Sequence, residues 1–256
     1  MWCIVMTAPE LVTSFDKYFR VVVADSPELR DEVYRIRYQV YCKEMRTEPE
    51  EQFPDGREHD RFDESAAHCL LQHRISGKYA GCVRLVFNDP LKSSSLPFEI
   101  HCRDSLYPSE VEAILVHKGS FGEISRLAVP AEFRRRKGEQ GAPVPMQLDE
   151  QPAPGLTERR HQSPQITIGL FLAATALGLI KGMSGVFAMM EPRLSRYLRQ
   201  LGLEFKQVGE EVEYHGKRAA FYITKEGLKL NADMAALLDF ITREIRAQLA
   251  PTAKLP

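Results

Sequence analysis

The sequence predicts an α/β (α+β) protein with a central mixed, mostly antiparallel sheet and helices on both faces. Three observations predict it. Apolar runs of strand length recur between turn signals, the clearest at residues 67–73, 78–87, 123–129 and 219–224. Helical periodicity appears between them, at 27–44 and 192–201. A small-residue-rich apolar stretch at 166–182 leads into a short apolar run at 185–190, a buried helix followed by a buried strand. No linker divides the 256 residues into halves, so one domain spanning the chain is expected, long enough to bury a large core.

Each element has a local reason. The helix at 27–44 opens on Asp25-Ser26-Pro27-Glu28: a capping residue, a proline in the first turn and an acid at the positive end. Its Arg37 and Tyr41 lie four apart and share a face. Residues 47–56 form a polar, proline-bearing loop. The strands at 67–73 and 78–87 are joined through Ile75-Ser76-Gly77-Lys78 as a hairpin. Residues 93–120 are irregular, with a short helix near 108–117, before the strand at 123–129. The segment 134–164 differs in kind: a basic run, then Gly, Pro, Gln and Glu with few apolar anchors, which is the pattern of a mobile insertion. The amphipathic helix at 192–201 stops at Gly202, a C-cap. Strands at 204–208 and 219–224 follow, with a turn at His215-Gly216 and room for a short strand at 212–214. A terminal helix lies within 227–249.

Composition excludes several classes. With 34 basic and 35 acidic residues the net charge is −1, so no global field favours nucleic acid or an acidic membrane. The run Arg134-Arg135-Arg136-Lys137 has only Phe133 beside it, without the interleaved aromatics on which bases stack. The five cysteines are odd in number and lack paired metal spacing; they read as reduced, structural thiols of a cytoplasmic protein. His59 and His68 fit no metal motif, and no metal site is predicted. Lys181 and the break Met183-Ser184-Gly185 interrupt the apolar stretch after 166, so no clean run of ~20 apolar residues spans a membrane. Residues 1–6 are too short for a signal peptide.

What remains unusual is a set of charges in strand-like apolar company. The chain reads Glu58-His59-Asp60-Arg61-Phe62-Asp63, then Gly81-Cys82-Val83-Arg84-Leu85, then Glu123-Ile124-Ser125-Arg126-Leu127-Ala128-Val129. A charge in such a run is desolvated unless another charge meets it. Asp60, Asp63, Arg84, Glu123 and Arg126 brought to one place would form a buried ionic cluster. Strand alternation puts Glu123, Ser125 and Leu127 on one face and Arg126 on the other.

The string Arg37-x-x-x-Tyr41, Glu58-x-Asp60-x-x-Asp63, Gly81-x-x-Arg84-Leu85 and Glu123-x-Ser125-Arg126 resembles the acyl-homoserine lactone (autoinducer) synthases and the N-acyl amino acid synthases. It is more closely similar to the acyltransferase family associated with PEP-CTERM/exosortase systems. Glu191-Pro192-Arg193-Leu194 and the stretch from Leu201-Gly202-Leu203 to Tyr214-His215-Gly216-Lys217-Arg218 share that likeness. The resemblance implies the GNAT acyltransferase fold, an acyl-thioester donor (usually an acyl carrier protein) and a small amine acceptor such as an amino acid. It implies that Arg37, Asp60, Asp63, Arg84, Glu123 and Arg126 form the charged network of the site. Two departures narrow it. Cys42-Lys43-Glu44-Met45 stands where autoinducer synthases carry a tryptophan, which argues against a lactone product. The pyrophosphate loop of CoA-using relatives is matched only partly by Arg135-Arg136-Lys137-Gly138-Glu139-Gln140, since Gln140 falls where a small residue is wanted.

The chemistry assigns roles on that pattern. An α-amine with a pKa near 8 is largely protonated at neutral pH and needs a base. Glu123 is the candidate, with Arg84 holding Asp60 and Asp63 and keeping Glu123 ionised. Backbone amides from Leu127 to Val129 are the candidate oxyanion contact. The acceptor's carboxylate is expected on Arg37 or Arg126, with Tyr41 and Ser125 beside it. Arg134, Arg135 and Arg136 suit the acidic face of an acyl carrier protein, or form a solvated loop cluster. The small residues Gly169, Ala173, Ala174 and Ala176 either border an acyl channel or pack a core helix. No permanently bound cofactor is expected, only acyl-ACP or acyl-CoA as co-substrate. Neither nucleic acid nor a transmembrane segment is expected, and any membrane contact would be peripheral. Two rival readings are an acetyl-CoA-dependent GNAT enzyme and a catalytically silent sensor that binds acyl-lipid.

Overall fold

The computed structural model describes residues 8–88, 95–116, 120–134 and 157–250. The chain enters through helix α1 (Ala8–Tyr18) and passes directly into strand β1 (Phe19–Val23), two elements that local patterning did not announce. Phe19, Val21 and Val23 alternate into the core, but five residues fused to a preceding helix carry too short a signal to stand out. Helix α2 (Pro27–Arg37) starts at the predicted cap, where the Ser26 hydroxyl accepts from the Leu29 N–H at 3.3 Å. The expected helix does run on to Glu44, but as a π-helix over Tyr38–Glu44.

Strands β2 (Ala66–His73) and β3 (Tyr79–Phe87) form the expected hairpin. Helices α3 (Pro97–His101) and α4 (Pro108–Val116) precede β4 (Phe121–Ala128). Helix α5 (Thr157–Ile180) starts earlier than expected, inside the segment read as an insertion, and takes Pro164 into its interior. Residues 135–156 lie outside the described residues. Then come β5 (Gly185–Met190), α6 (Pro192–Gln200), β6 (Lys206–Gln207), β7 (Val212–Glu213), β8 (Lys217–Thr224) and α7 (Ala232–Leu249). Leu201 is the C-cap of α6, and Gly202, expected there, follows one residue later at φ 85°, a conformation that favours glycine.

The strand order is β1-β2-β3-β4-β5-β8-β6, with β7 also on β8. Every pairing is antiparallel except β4 with β5. One face, carrying Leu85, Ile124, Leu127, Ala188 and Phe221, packs against α5, α6 and α7 in the main core. Gly169 of α5 sits against the Phe15 ring, where a Cβ would come within 2.6 Å, and Ala173, Ala174 and Ala176 are buried in the same core. The small residues of this helix therefore serve close packing. No helix among the described residues is long and apolar enough to cross a membrane.

The opposite face holds two smaller clusters. Val33, Ile36 and Val40 pack on Leu70, Cys82 and Ala128 under α2. Phe98 stacks on Phe187 at 4.2 Å, with Val86, Phe121, Ala220 and Tyr222 around it. Arg84, Glu123 and Ser125 lie on this same face, next to the apolar residues of both clusters.

A β-bulge shapes the middle of the sheet. Arg84 pairs with Ser125 but Cys82 with Ala128, so Arg126 and Leu127 together oppose Val83. Arg126 adopts φ 48°, in the left-handed region. The extra residue corrects the expected alternation: Leu127 turns into the core beside Ile124, and Arg126 turns to the face of Glu123 and Ser125. Beyond the bulge β4 leaves β5, whose parallel pairing ends at Ile124 and Ala188.

Candidate active site

The acids reach the site through a short 3-10 turn, Arg61–Ser65. Asp60 caps it by accepting from the Phe62 N–H at 2.9 Å, and Asp63 returns the contact by accepting from the Asp60 N–H at 2.7 Å. These two capping bonds orient both carboxylates towards the sheet. Arg84 Nη1 donates to Asp60 Oδ1 at 2.6 Å and to Asp63 Oδ1 at 2.9 Å, while its Nε donates to the Ser125 hydroxyl at 3.1 Å. Arg37, from the end of α2, bonds Glu58 and reaches Asp63 at 2.7 Å. Arg126, turned inward by the bulge, meets Glu58 at 3.2 Å, Glu48 at 3.1 Å and Asp60 at 3.5 Å. Three guanidinium groups thus share four carboxylates.

Mutual pairing makes this burial tolerable. Burial pushes Glu58, Asp60 and Asp63 upward, yet the arginines outweigh it, and all three stay below the usual carboxylate range. Asp63, held by Arg37 and Arg84, is the most depressed of them. His68, at 3.5 Å from Asp63, is pushed down by burial to about 3, so it sits neutral behind the cluster. The Tyr41 hydroxyl is pushed up to about 12 by burial and donates to the Leu127 carbonyl at 2.9 Å, tying the π-helix to the bulge.

Glu123 behaves differently. Its side chain is 2% exposed and forms no ion pair among the described residues. It accepts one backbone bond, from the Phe98 N–H at 2.7 Å. Burial pushes it up to about 8, and neither that bond nor the charges of Arg84 and Arg126 bring it back. Arg84 therefore does not keep Glu123 ionised, contrary to expectation, because its donors are committed to Asp60, Asp63 and Ser125.

Beside the cluster opens a pocket of about 580 Å³ of space, mouth included. Arg84, Asp60, Glu123, Ser125 and Arg126 line it. Tyr41 and Glu48 form one wall, and the rings of His101, Tyr214 and His215 cluster at another, with His101 to Tyr214 at 4.6 Å and Tyr214 to His215 at 4.4 Å. Arg218 also reaches it.

The structure brings Arg37, Tyr41, Asp60, Asp63, Arg84, Glu123, Ser125 and Arg126 together, though Arg37 and Asp63 lie behind the pocket and do not line it. Neither Arg37 nor Arg126 stands free for an acceptor's carboxylate, since Arg37 is fully buried and both are engaged by acids. The side chains of Leu127 and Val129 point into the core. Arg134 is tied to Glu44 and its side chain is only 9% exposed, which leaves little of it for a docking partner. Arg135 and Arg136 lie outside the described residues. Sequence reasoning missed Glu48, His101, Tyr214 and Arg218. Glu48 sits in a loop of ordinary polarity and His101 in an irregular segment; Tyr214 and Arg218 fall in the stretch that carries the family likeness, but nothing local gave them a place in the site.

Residues 36–142 match the family model described as an acetyltransferase (GNAT) domain. No curated protein matches the sequence. Among solved structures the fold is similar to FeeM, an N-acyl amino acid synthase from uncultured soil microbes, with TM-score 0.53 and 16% identity, over 80% of this chain and 89% of that one. It is also similar to TofI in a ternary complex with an inhibitor and MTA, with TM-score 0.54 and 17% identity, over 86% of this chain and 96% of that one. Apo TofI matches at TM-score 0.50 and 18% identity over the same shares, 86% and 96%. A GNAT domain match on a mixed sheet of this kind indicates an acyltransferase.

Proposed function

We propose that the protein is an N-acyltransferase, a single catalytic domain that moves a long acyl group from a thioester to the amine of an amino acid or similar small acceptor. The observation that carries this is Glu123: a buried carboxyl without an ionic partner among the described residues, lining a pocket beside the point where β4 leaves β5. With a pKa of about 8 it is matched to an α-amine, near the optimum for proton transfer. Glu123 takes a proton from the acceptor ammonium, and the freed amine attacks the thioester carbonyl. The C–N bond forms, the C–S bond breaks, and the departing thiolate takes up a proton. Backbone N–H groups at the bulge, past the last β4–β5 pair, are the candidate donors to the developing oxyanion. The paired arginines and acids hold the bulge and the floor in place.

An acyl carrier protein as donor is supported by Gln140 in the partly matched phosphate loop, and the PEP-CTERM/exosortase setting by the family resemblance. Buried free thiols at Cys42, Cys69, Cys82 and Cys102 suit the reducing cytoplasm. The acetyltransferase description of the matched domain favours one alternative, an acetyl-CoA donor. Incubating the protein with palmitoyl-carrier protein, palmitoyl-CoA or acetyl-CoA and a mixture of amino acids, then measuring N-acyl products by mass spectrometry, tests both. Long-chain N-acyl amino acids formed from carrier protein and lost in Glu123→Gln are expected. Product from acetyl-CoA alone would support the alternative, and none from any donor would overturn the proposal.

A further inference from the structure

The arginines that reach the pocket are of two kinds. Arg84 and Arg126 each meet carboxylates, whereas Arg218 makes no ion pair among the described residues. Its Nε is buried and has no hydrogen-bond partner. A buried guanidinium donor is rarely left without an acceptor, because desolvation then goes uncompensated unless a ligand supplies one. The fold places this group deliberately. His215 and Gly216, at φ 51° and 95°, lie in the three-residue loop at 214–216 that joins β7 to β8, where Val212 pairs with Arg218. Arg218 then shares the strand face of Ala220 and Tyr222, which is the face of Glu123 across β5.

We infer that Arg218 binds the carboxylate of the acceptor, which makes the acceptor an α-amino acid and not a simple amine. The inference rests on the acyltransferase reading above and specifies its second substrate. An α-amino acid offers an ammonium and a carboxylate one carbon apart. The pocket offers the acids Glu123, Asp60 and Glu48 and, in Arg218, a guanidinium that meets no carboxylate among the described residues. A guanidinium fork matches a carboxylate bidentately. The phosphate of a carrier-protein or CoA donor is the rival anion. It is separated from the thioester by the whole pantetheine arm, whereas the group that shares a pocket with the base must lie close to the reacting amine.

The test compares each standard α-amino acid with its decarboxylated amine, for example phenylalanine with phenethylamine, using palmitoyl-carrier protein as donor. Wild-type protein is expected to prefer the amino acid, and Arg218→Ala to shrink that preference by about tenfold to hundredfold, through KM for the acceptor more than kcat. Arg218→Lys should recover part of it, since the charge remains and the fork is lost. Equal use of amino acid and amine by the wild type would overturn the inference while leaving acyl transfer standing. A rise in KM for the donor alone would also overturn it, assigning Arg218 to the phosphate. Should no donor be used at all, the acyltransferase reading fails, and calorimetry of amino acid against amine binding to wild type and Arg218→Ala still decides the role of Arg218.

Discussion

Two sides of the pocket carry similar residues in opposite states. On the side of Arg37, Arg84 and Arg126, each guanidinium meets carboxylates, and Asp60 and Asp63 also serve as helix-capping acids. On the side of Glu123 and Arg218, one buried acid and one buried guanidinium donor lack ionic partners among the described residues. The first arrangement stabilises shape, since removing any member strands a buried charge. The second leaves free the groups that can meet substrate. On the function proposed above, the paired charges form the framework of this site, and Glu123 and Arg218 carry its chemistry.

The largest effect that would sharpen this contrast is in activity. Glu123→Gln is expected to lower kcat/KM by about 10²- to 10⁴-fold with the fold intact, the usual contribution of a general base. Near-normal turnover with far-UV circular dichroism unchanged would remove Glu123 as the base and break the comparison.

Next in size is stability on the opposite side. Arg84→Ala strands Asp60 and Asp63, and urea unfolding should show a loss of about 3–5 kcal/mol. Arg218→Ala removes an unpaired group and should cost far less in the same measurement. Equal losses would mean that Arg218 is structural too.

The pH dependences should separate the sides in sign. Glu123 is raised in the folded protein to about 8 from an ordinary 4.5, so the folded state binds more protons across that window. Stability due to Glu123 falls as pH rises from about 4.5 through about 8, and kcat/KM rises over the upper part of it. Glu123→Gln should flatten both trends. Asp60 and Asp63 are depressed, so their stabilisation is present above the ordinary 3.8 and is lost as pH falls below it. Melting temperature and initial rates across pH 3–10 would show whether the two slopes oppose.

The smallest effect concerns the turn that presents Arg218. His215→Gly relieves a non-glycine residue at φ 51° but adds unfolded-chain freedom, so stability should change by less than about 1 kcal/mol. A large loss would show that the His215 ring, near Tyr214 and Glu48, holds the pocket mouth shut.

Local physics explains which parts of this molecule were legible in advance. Gly185–Met190 appears as expected because a short all-apolar run bounded by glycine has few alternatives. The Ser26-Pro27 start of α2 and the Gly202 stop of α6 follow from capping bonds between near neighbours. Alternation failed at Arg126 because a bulge adds one residue, and only the pairing partner β3 reveals it. The helix at 27–44 was legible, whereas its conversion to a π-helix at Tyr38 was not, since no residue type in Tyr38–Glu44 marks the switch from i→i+4 to i→i+5 bonding.

By itself, then, the sequence determined the strands, the helix caps and the presence of Asp60, Asp63, Arg84, Glu123 and Arg126 amid apolar residues. These depend on neighbours a few positions apart, where periodicity and capping act. Only the tertiary structure decided that Arg37 and Arg126 are neutralised by Glu58 and Glu48, that Glu123 is raised, and that Arg218 arrives at the same pocket without an ionic partner among the described residues. The reason is that ionisation and pairing in an interior are set by everything packed around a group, and most of what surrounds these groups comes from elsewhere in the chain.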